Sequence, residues 1–190
     1  MPRAQLILYA VPTGLLAEQC DRFFRMAAAI APTTAQTYPP HCTLTGFFNR
    51  PVHRIGVVLD AYAQTLDRAG LHRSGRVESC EVTVRGIRRD AGWLGLELSS
   101  PRLLEVAASF AAACAPQREP GDDALRLKDW LHLSLAYDCD TETLDRHEGL
   151  ARAVVDDGLH CDWEVGLWRR HPRDRWERLA PTPVGAPRPA

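Results

Sequence analysis

The sequence predicts an α+β fold stated twice: strand, helix, histidine-bearing strand, helix, strand, and then the same order again. Three observations carry this. Two apolar, strand-like runs hold the tetrapeptides His41-Cys42-Thr43-Leu44 and His132-Leu133-Ser134-Leu135. Each is preceded by another strand and an amphipathic helix, and each is followed by a further helix. Outside the tetrapeptides the two halves share little residue by residue, so the duplication is one of element order.

The first strand is expected over 5–11, with Thr13 as the N-cap of a helix reaching about Ile30. Leu16, Cys20, Phe23, Phe24 and Ala27 recur at helical spacing, which makes the phenylalanine pair core. Pro39 and Pro40 close a loop and launch the strand of His41. Ile55, Val58, Leu59, Tyr62 and Leu66 mark a second helix, ended near Gly70. A strand follows over 77–85. The order restarts with a strand over 93–98, a Ser100-Pro101 helix start, and a helix using Leu103, Val106, Ala107, Phe110 and Cys114. A polar loop over 116–128 leads into the strand of His132, Asp140 caps a fourth helix to about Val155, and strands over 163–170 and 175–179 close the fold. Residues 181–190 read as a disordered tail.

A chain of 190 residues, 45% of them apolar, is long enough for one domain or two small lobes sharing a core. Its apolar runs are too short to span a bilayer, and its first residues read as a strand, so neither a membrane anchor nor a signal peptide is expected. Six scattered cysteines without a Cys-x-x-Cys read as reduced thiols of a cytoplasmic protein. A net charge of −1 argues against a broad grip on duplex nucleic acid but leaves room for a nucleotide or an RNA end. Lys128 is the sole lysine, and the arginine bias runs along the whole chain.

Strand alternation sets His41, Thr43 and Thr45 on one face and Cys42 and Leu44 on the other. It likewise sets His132 and Ser134 on one face, with Leu131, Leu133 and Leu135 opposite. An imidazole beside a hydroxyl, supplied twice, suits a phosphate held between two proton-transfer groups. Phe47 shares the parity of His41 and is a candidate for stacking on a nucleobase. Tyr137 has the opposite parity to His132 and reads as core. Arg126 and Lys128, just before the second motif, read as solvated charges within reach of a phosphate, Lys128 being a candidate substrate contact. His53, His72, His147, His160 and His171 lack the motif and read as surface or structural residues.

Paired His-x-Thr/Ser-apolar motifs, one in each half of an α+β chain of this size, resemble the 2H phosphoesterase superfamily. Its members include cyclic nucleotide phosphodiesterases and bacterial proteins named as RNA 2′,5′-ligases. The resemblance spans 5–179, and its specific content is the two tetrapeptides and their spacing. It implies a single bilobal domain over 1–180, with lobes of about 1–88 and 89–180 between which strands cross over. It also implies two antiparallel sheets lining a central cleft, with helices outside. Carried across residue by residue, His41 and His132 match the catalytic histidines, while Thr43 and Ser134 match the phosphate-binding hydroxyls. The implied activity is metal- and cofactor-free cleavage of 2′,3′-cyclic phosphates or 2′,5′ linkages in nucleotides, 2′,5′-oligonucleotides or RNA ends, by a monomer without an obligatory protein partner. Two alternatives stand beside hydrolysis: a nucleotide or RNA-end binding module without turnover, and RNA 2′,5′-ligation in the same site. The sequence holds no Gly-x-Ser-x-Gly, P-loop or His-Glu-x-x-His to support another hydrolase class.

Overall fold

The structure is a computed structural model describing residues 1–73, 76–77 and 79–180, with the side chains of 72, 73, 76, 77 and 160 left aside. The tail expected to be disordered lies outside the described residues, as do the side chains of His72 and His160. In chain order the elements are β1 (Arg3–Pro12), α1 (Gly14–Ile30), β2 (Cys42–Thr43), β3 (Phe48–Pro51), α2 (Ile55–Arg68), β4 (His72–Arg73) and β5 (Arg76–Val77). They continue with β6 (Cys80–Asp90), β7 (Trp93–Ser99), α3 (Pro101–Cys114), β8 (Leu131–Tyr137), α4 (Thr141–Val154), β9 (His160–His171) and β10 (Arg175–Ala180). The α+β class is as the sequence predicts. None of the described helices is long and apolar enough to cross a membrane.

The helices form where local chemistry asks for them. Ser100 caps α3 by accepting from the Leu103 N–H at 3.3 Å, with Pro101 at the first helical position, and Asp140 caps α4 by accepting from Thr143 N–H at 2.8 Å. Gly70, at φ +63, ends α2: its N–H donates to Asp67 O and that of Leu71 to Leu66 O. Thr13 occupies the N-cap position of α1, yet its hydroxyl donates to Asp162 O at 2.8 Å, so it ties the helix start to β9 instead of capping it.

Eight strands make one continuous antiparallel sheet, and β4–β5 form a small separate pair. The pairings close on themselves, running β1–β2–β8–β7–β6–β9 and back to β1. Exchanging β1 with β7, β2 with β8 and β6 with β9 maps that ring onto itself. The helix pairs obey the same exchange, α1 packing on α4 and α3 on α2. The duplicated element order therefore has a counterpart in strand pairing. Division by sequence into halves does not: β6 joins β7, and β9 lies against β1 over Gln5–Pro12. Hydrogen bonding thus yields a single sheet where two were expected. The physical reason is that β2 offers its second edge directly to β8, with Cys42 opposite Leu133.

One face of the sheet is the core. Leu6, Leu8 and Ala10 of β1, Leu94 and Leu96 of β7, and Leu133 and Leu135 of β8 are buried against Leu16, Phe23, Leu103 and Phe110 of the helices. The other face carries both histidine motifs. Where β7 crosses this face, a Cβ on Gly95 would lie 2.3 Å from Leu133 O and 2.5 Å from the Trp93 ring. Only glycine lets the Trp93 indole fold down beside Ser134. Gly95→Ala is expected to cost about 1–3 kcal/mol by overpacking, read as a loss of about 2–12 °C in Tm by thermal unfolding.

Candidate active site

His41 immediately precedes β2 and His132 is the second residue of β8, and each is held by the same device. The Nδ1 of His41 lies 2.7 Å from Pro39 O, and that of His132 lies 3.3 Å from Trp130 O. A carbonyl only accepts, so Nδ1 carries the hydrogen in both rings and Nε2 is left with a lone pair when the ring is neutral. The pairing of Cys42 with Leu133 fixes the rest of the register. It places His41 across from Ser134 and Thr43 across from His132, so each ring faces the other motif's hydroxyl. Diagonal neighbours on antiparallel strands are typically about 7–8 Å apart, which leaves room for a phosphoryl group between the rings. The motif strands are thus bonded neighbours in the sheet, not opposite walls of a cleft.

The hydroxyls are free to donate. Trp93 Nε1–H donates to Ser134 Oγ at 2.9 Å, which turns the serine proton outward. Thr43 is half-buried, and its hydroxyl has no hydrogen-bond partner among the described residues. Cys42 is buried on the far face, and burial pushes its thiol up to about 12, partly offset by the His132 backbone, so it offers no nucleophile.

Burial lowers His41 to about 4 against the opposing pull of the Pro39 bond, and the charge of His132 lowers it further. His132 is also lowered, first by burial and then by Lys128, with the Trp130 bond acting against both. Around His41, itself half-buried, aromatic rings pack closely. Tyr9 lies 3.9 Å from it between ring centroids and is 1% exposed, and Tyr38 lies at 5.8 Å. Burial, then Tyr38 and Tyr137, raise the Tyr9 phenol far above its usual range, so it stays a neutral donor. Around His132 the site is open: Trp130 stacks on the ring at 4.2 Å and 27°, and Trp93 meets it edge-on at 5.5 Å.

Two expectations of strand parity fail, for one reason. The N–H groups of Leu44 and Thr45 both reach Leu8 O, at 3.0 and 3.4 Å, which is a bulge. Thr45 is thereby turned inward, fully buried, to accept from Leu8 N–H at 3.1 Å. In the second motif the register slips between Leu94 and Gly95, and Leu135 and Ala136 are buried in succession. Tyr137, expected in the core, consequently emerges half-buried on the histidine face, where Tyr38 is near enough to help burial raise its phenol above the usual range. The same bulge at the same offset from each histidine extends the likeness of the two motifs beyond four residues.

Phe47 does reach this face, but at a remove. It stacks on Trp176 at 6.1 Å, and Trp176 in turn neighbours Tyr9 and Tyr38, with the Arg170 guanidinium over all three of Tyr38, Phe47 and Trp176. Lys128 is exposed at the edge of the His132 side, its N–H bonded to Leu44 O. Sequence reasoning missed Tyr9, Trp93, Trp130, Tyr137 and Trp176. Trp130 alone had a readable signal, standing two places before His132 on the same strand parity. Of the other histidines, His53 is exposed, His171 pairs with Glu177 at 2.6 Å, and His147 is buried beside Phe23.

Among the described residues no group of three or more His, Cys, Asp or Glu is placed to hold a metal ion. A concavity of about 580 Å3 between Leu71, Cys80, Ser100 and Arg102 contains neither histidine. The chain matches no protein-family model and no curated protein sequence.

Proposed function

We propose that this chain is a 2H-type phosphodiesterase that hydrolyses 2′,3′-cyclic phosphate or 2′,5′-phosphodiester bonds of nucleotides or RNA ends. The observation that supports it best is the matched presentation of two Nε2 atoms, each ring pinned through Nδ1 and each facing a donor hydroxyl across paired strands. In this reading one histidine takes the proton of the attacking water while a P–O bond forms. The other protonates the ribose oxygen as its bond to phosphorus breaks. Thr43 and Ser134 donate to the non-bridging oxygens.

The environments divide the proton roles. His41, neutral down to about pH 4, is suited to be the base, and His132, on the open side, to be the acid. A base must be unprotonated and an acid protonated. The profile of kcat/KM should therefore fall on the acid side as His41 takes a proton near 4. It should fall on the alkaline side as His132 loses its own below 6.5, giving an optimum on the acid side of 6.5. Bound phosphate, being anionic, raises both histidines, so the kcat profile should lie to the alkaline side of the kcat/KM profile. A rate profile on a 2′,3′-cyclic nucleotide checks this, and an optimum of kcat/KM above pH 7 would count against the assignment.

The reading itself is tested by turnover of a panel of 2′,3′-cyclic nucleotides and 2′,5′-linked dinucleotides in EDTA. Binding of any of them without turnover would instead favour a sensor, a role that two rings neutral at pH 7 would also serve. Ligation is the reverse reaction in the same site and would appear as product joining in the same assay.

A further inference from the structure

The two sides of the histidine pair differ in a way that bears on substrate size. His41 is packed under Tyr9, which is 1% exposed, whereas His132 is covered by Trp130, which is 37% exposed. Trp93 braces Trp130 edge-on at 5.1 Å, and the Arg88 guanidinium lies 5.3 Å from its ring centre. Arg88 shares a row of the sheet with Gly95 and Ser134, so it flanks the phosphate-facing hydroxyl two strands away. Its carboxylate neighbour is Glu97 at 3.7 Å, with both side chains 40–50% exposed, an ion pair weak enough to yield to a phosphate. Lys128, likewise exposed, is near enough to His132 to perturb it. An exposed, braced indole with a guanidinium over its ring suits single-stranded nucleic acid: a base takes the guanidinium's place on the ring and the displaced cation follows the backbone phosphate. A mononucleotide carries one base, so it can fill the Trp130 side or the Tyr38 side of the histidine pair but not both, whereas a second nucleotide reaches both.

We infer that Trp130, Arg88 and Lys128 form a subsite for a nucleotide adjoining the one that carries the scissile phosphate, so that the substrate is a single-stranded oligonucleotide of two residues or more. This rests on the phosphodiesterase reading and narrows it.

The test compares a dinucleotide ending in a 2′,3′-cyclic phosphate with the cyclic mononucleotide of the same terminal base. The reacting group is identical and only the adjoining nucleotide differs. For the wild-type chain kcat/KM should favour the dinucleotide by about 5–150-fold, the range one base–aromatic stack supplies. Trp130→Ala should bring the ratio close to one, Trp130→Phe should keep several-fold of it, and Arg88→Gln should reduce both the ratio and its dependence on salt. A wild-type ratio near one overturns the inference, as does a Trp130→Ala variant that slows both compounds equally, since the indole would then serve only to position His132. If neither compound is turned over, the hydrolase reading fails separately. Calorimetric affinities for the same two compounds then decide the subsite, by the same ratio and its loss in Trp130→Ala.

Discussion

Alanine at His41 or at His132 is expected to lower kcat/KM on a cyclic-phosphate or 2′,5′-linked substrate by about 10²–10⁴-fold each, in EDTA as in its absence. The size follows from the proposed role: each ring would supply one proton transfer, and water is a poor substitute at either end of the P–O–H exchange. The losses should not add. Once one proton transfer is gone the other no longer acts in a concerted step, so the double variant should resemble the worse single one. The companion variant is Cys42→Ala. Cys42 lies between His41 and Thr43 in sequence but is buried on the opposite face, and its removal should leave the rate within a few-fold of wild type. Rates for all four chains, with thermal unfolding to show that each is folded, decide the matter. Full activity in His41→Ala or His132→Ala would sink the two-histidine mechanism. A matching loss in Cys42→Ala would mean that the motif acts through strand packing alone.

The acid–base assignment adds a discriminating detail. If His41 is the base, its variant should lose the acid limb of the pH profile and keep the alkaline one, because the group that must be unprotonated is no longer there. The His132 variant should do the reverse. Exchange of these two patterns would reverse the roles without disturbing the proposal that both rings act.

What the sequence made legible is what short-range chemistry decides. Ser100-Pro101, Asp140 and Gly70 announce helix ends, and the apolar spacing of Leu16, Cys20, Phe23 and Ala27 announces the buried stripe of α1. The two His-x-hydroxyl pairs were readable because alternation holds over four residues. It fails at the fifth, where a bulge inserts an extra residue, and so Thr45 and Tyr137 exchange faces relative to expectation. Bulges answer to the partner strand, here Leu8 O and the Leu94–Gly95 step, which lies outside any local window. The placement of β9 against both β1 and β6 is non-local in the same sense. So is the aromatic surround of His41, gathered from β1, the segment before β2, and β10.

The loop over 116–128 shows the same limit at its most consequential, and it carries the second large expected effect. Its Pro-Gly-Asp-Asp core reads only as part of a polar loop, yet the Asp122 side chain is 1% exposed. Arg3 Nη2 reaches it at 2.8 Å, Arg54 Nη1 at 3.5 Å and Arg50 Nε at 3.7 Å, while Glu119 N–H donates at 3.2 Å. Burial works against the charge, but the Glu119 N–H and the Arg3 and Arg50 guanidiniums outweigh it and hold the carboxyl below its usual range. Asp122 therefore stabilises the fold above its unfolded pKa, and that contribution is lost as pH falls through its lower folded value. Asp122→Ala would leave Arg50 buried at 3% exposure, with one Nη already lacking a partner. Removing one member of such a buried pair typically costs about 3–5 kcal/mol. At this chain length that is a fall of about 6–20 °C in Tm. Asp122→Asn, which keeps the volume and loses the charge, should recover little of it. Because the same loop delivers Lys128 and Trp130 to the histidine face, any residual activity of Asp122→Ala measured below its Tm should show a raised KM for oligonucleotides. Its kcat on the cyclic mononucleotide should be largely kept. A Tm change under 2 °C would instead show that the three arginines find other partners, and that the loop is held by Asn49, whose N–H and side-chain amide both donate to Asp123.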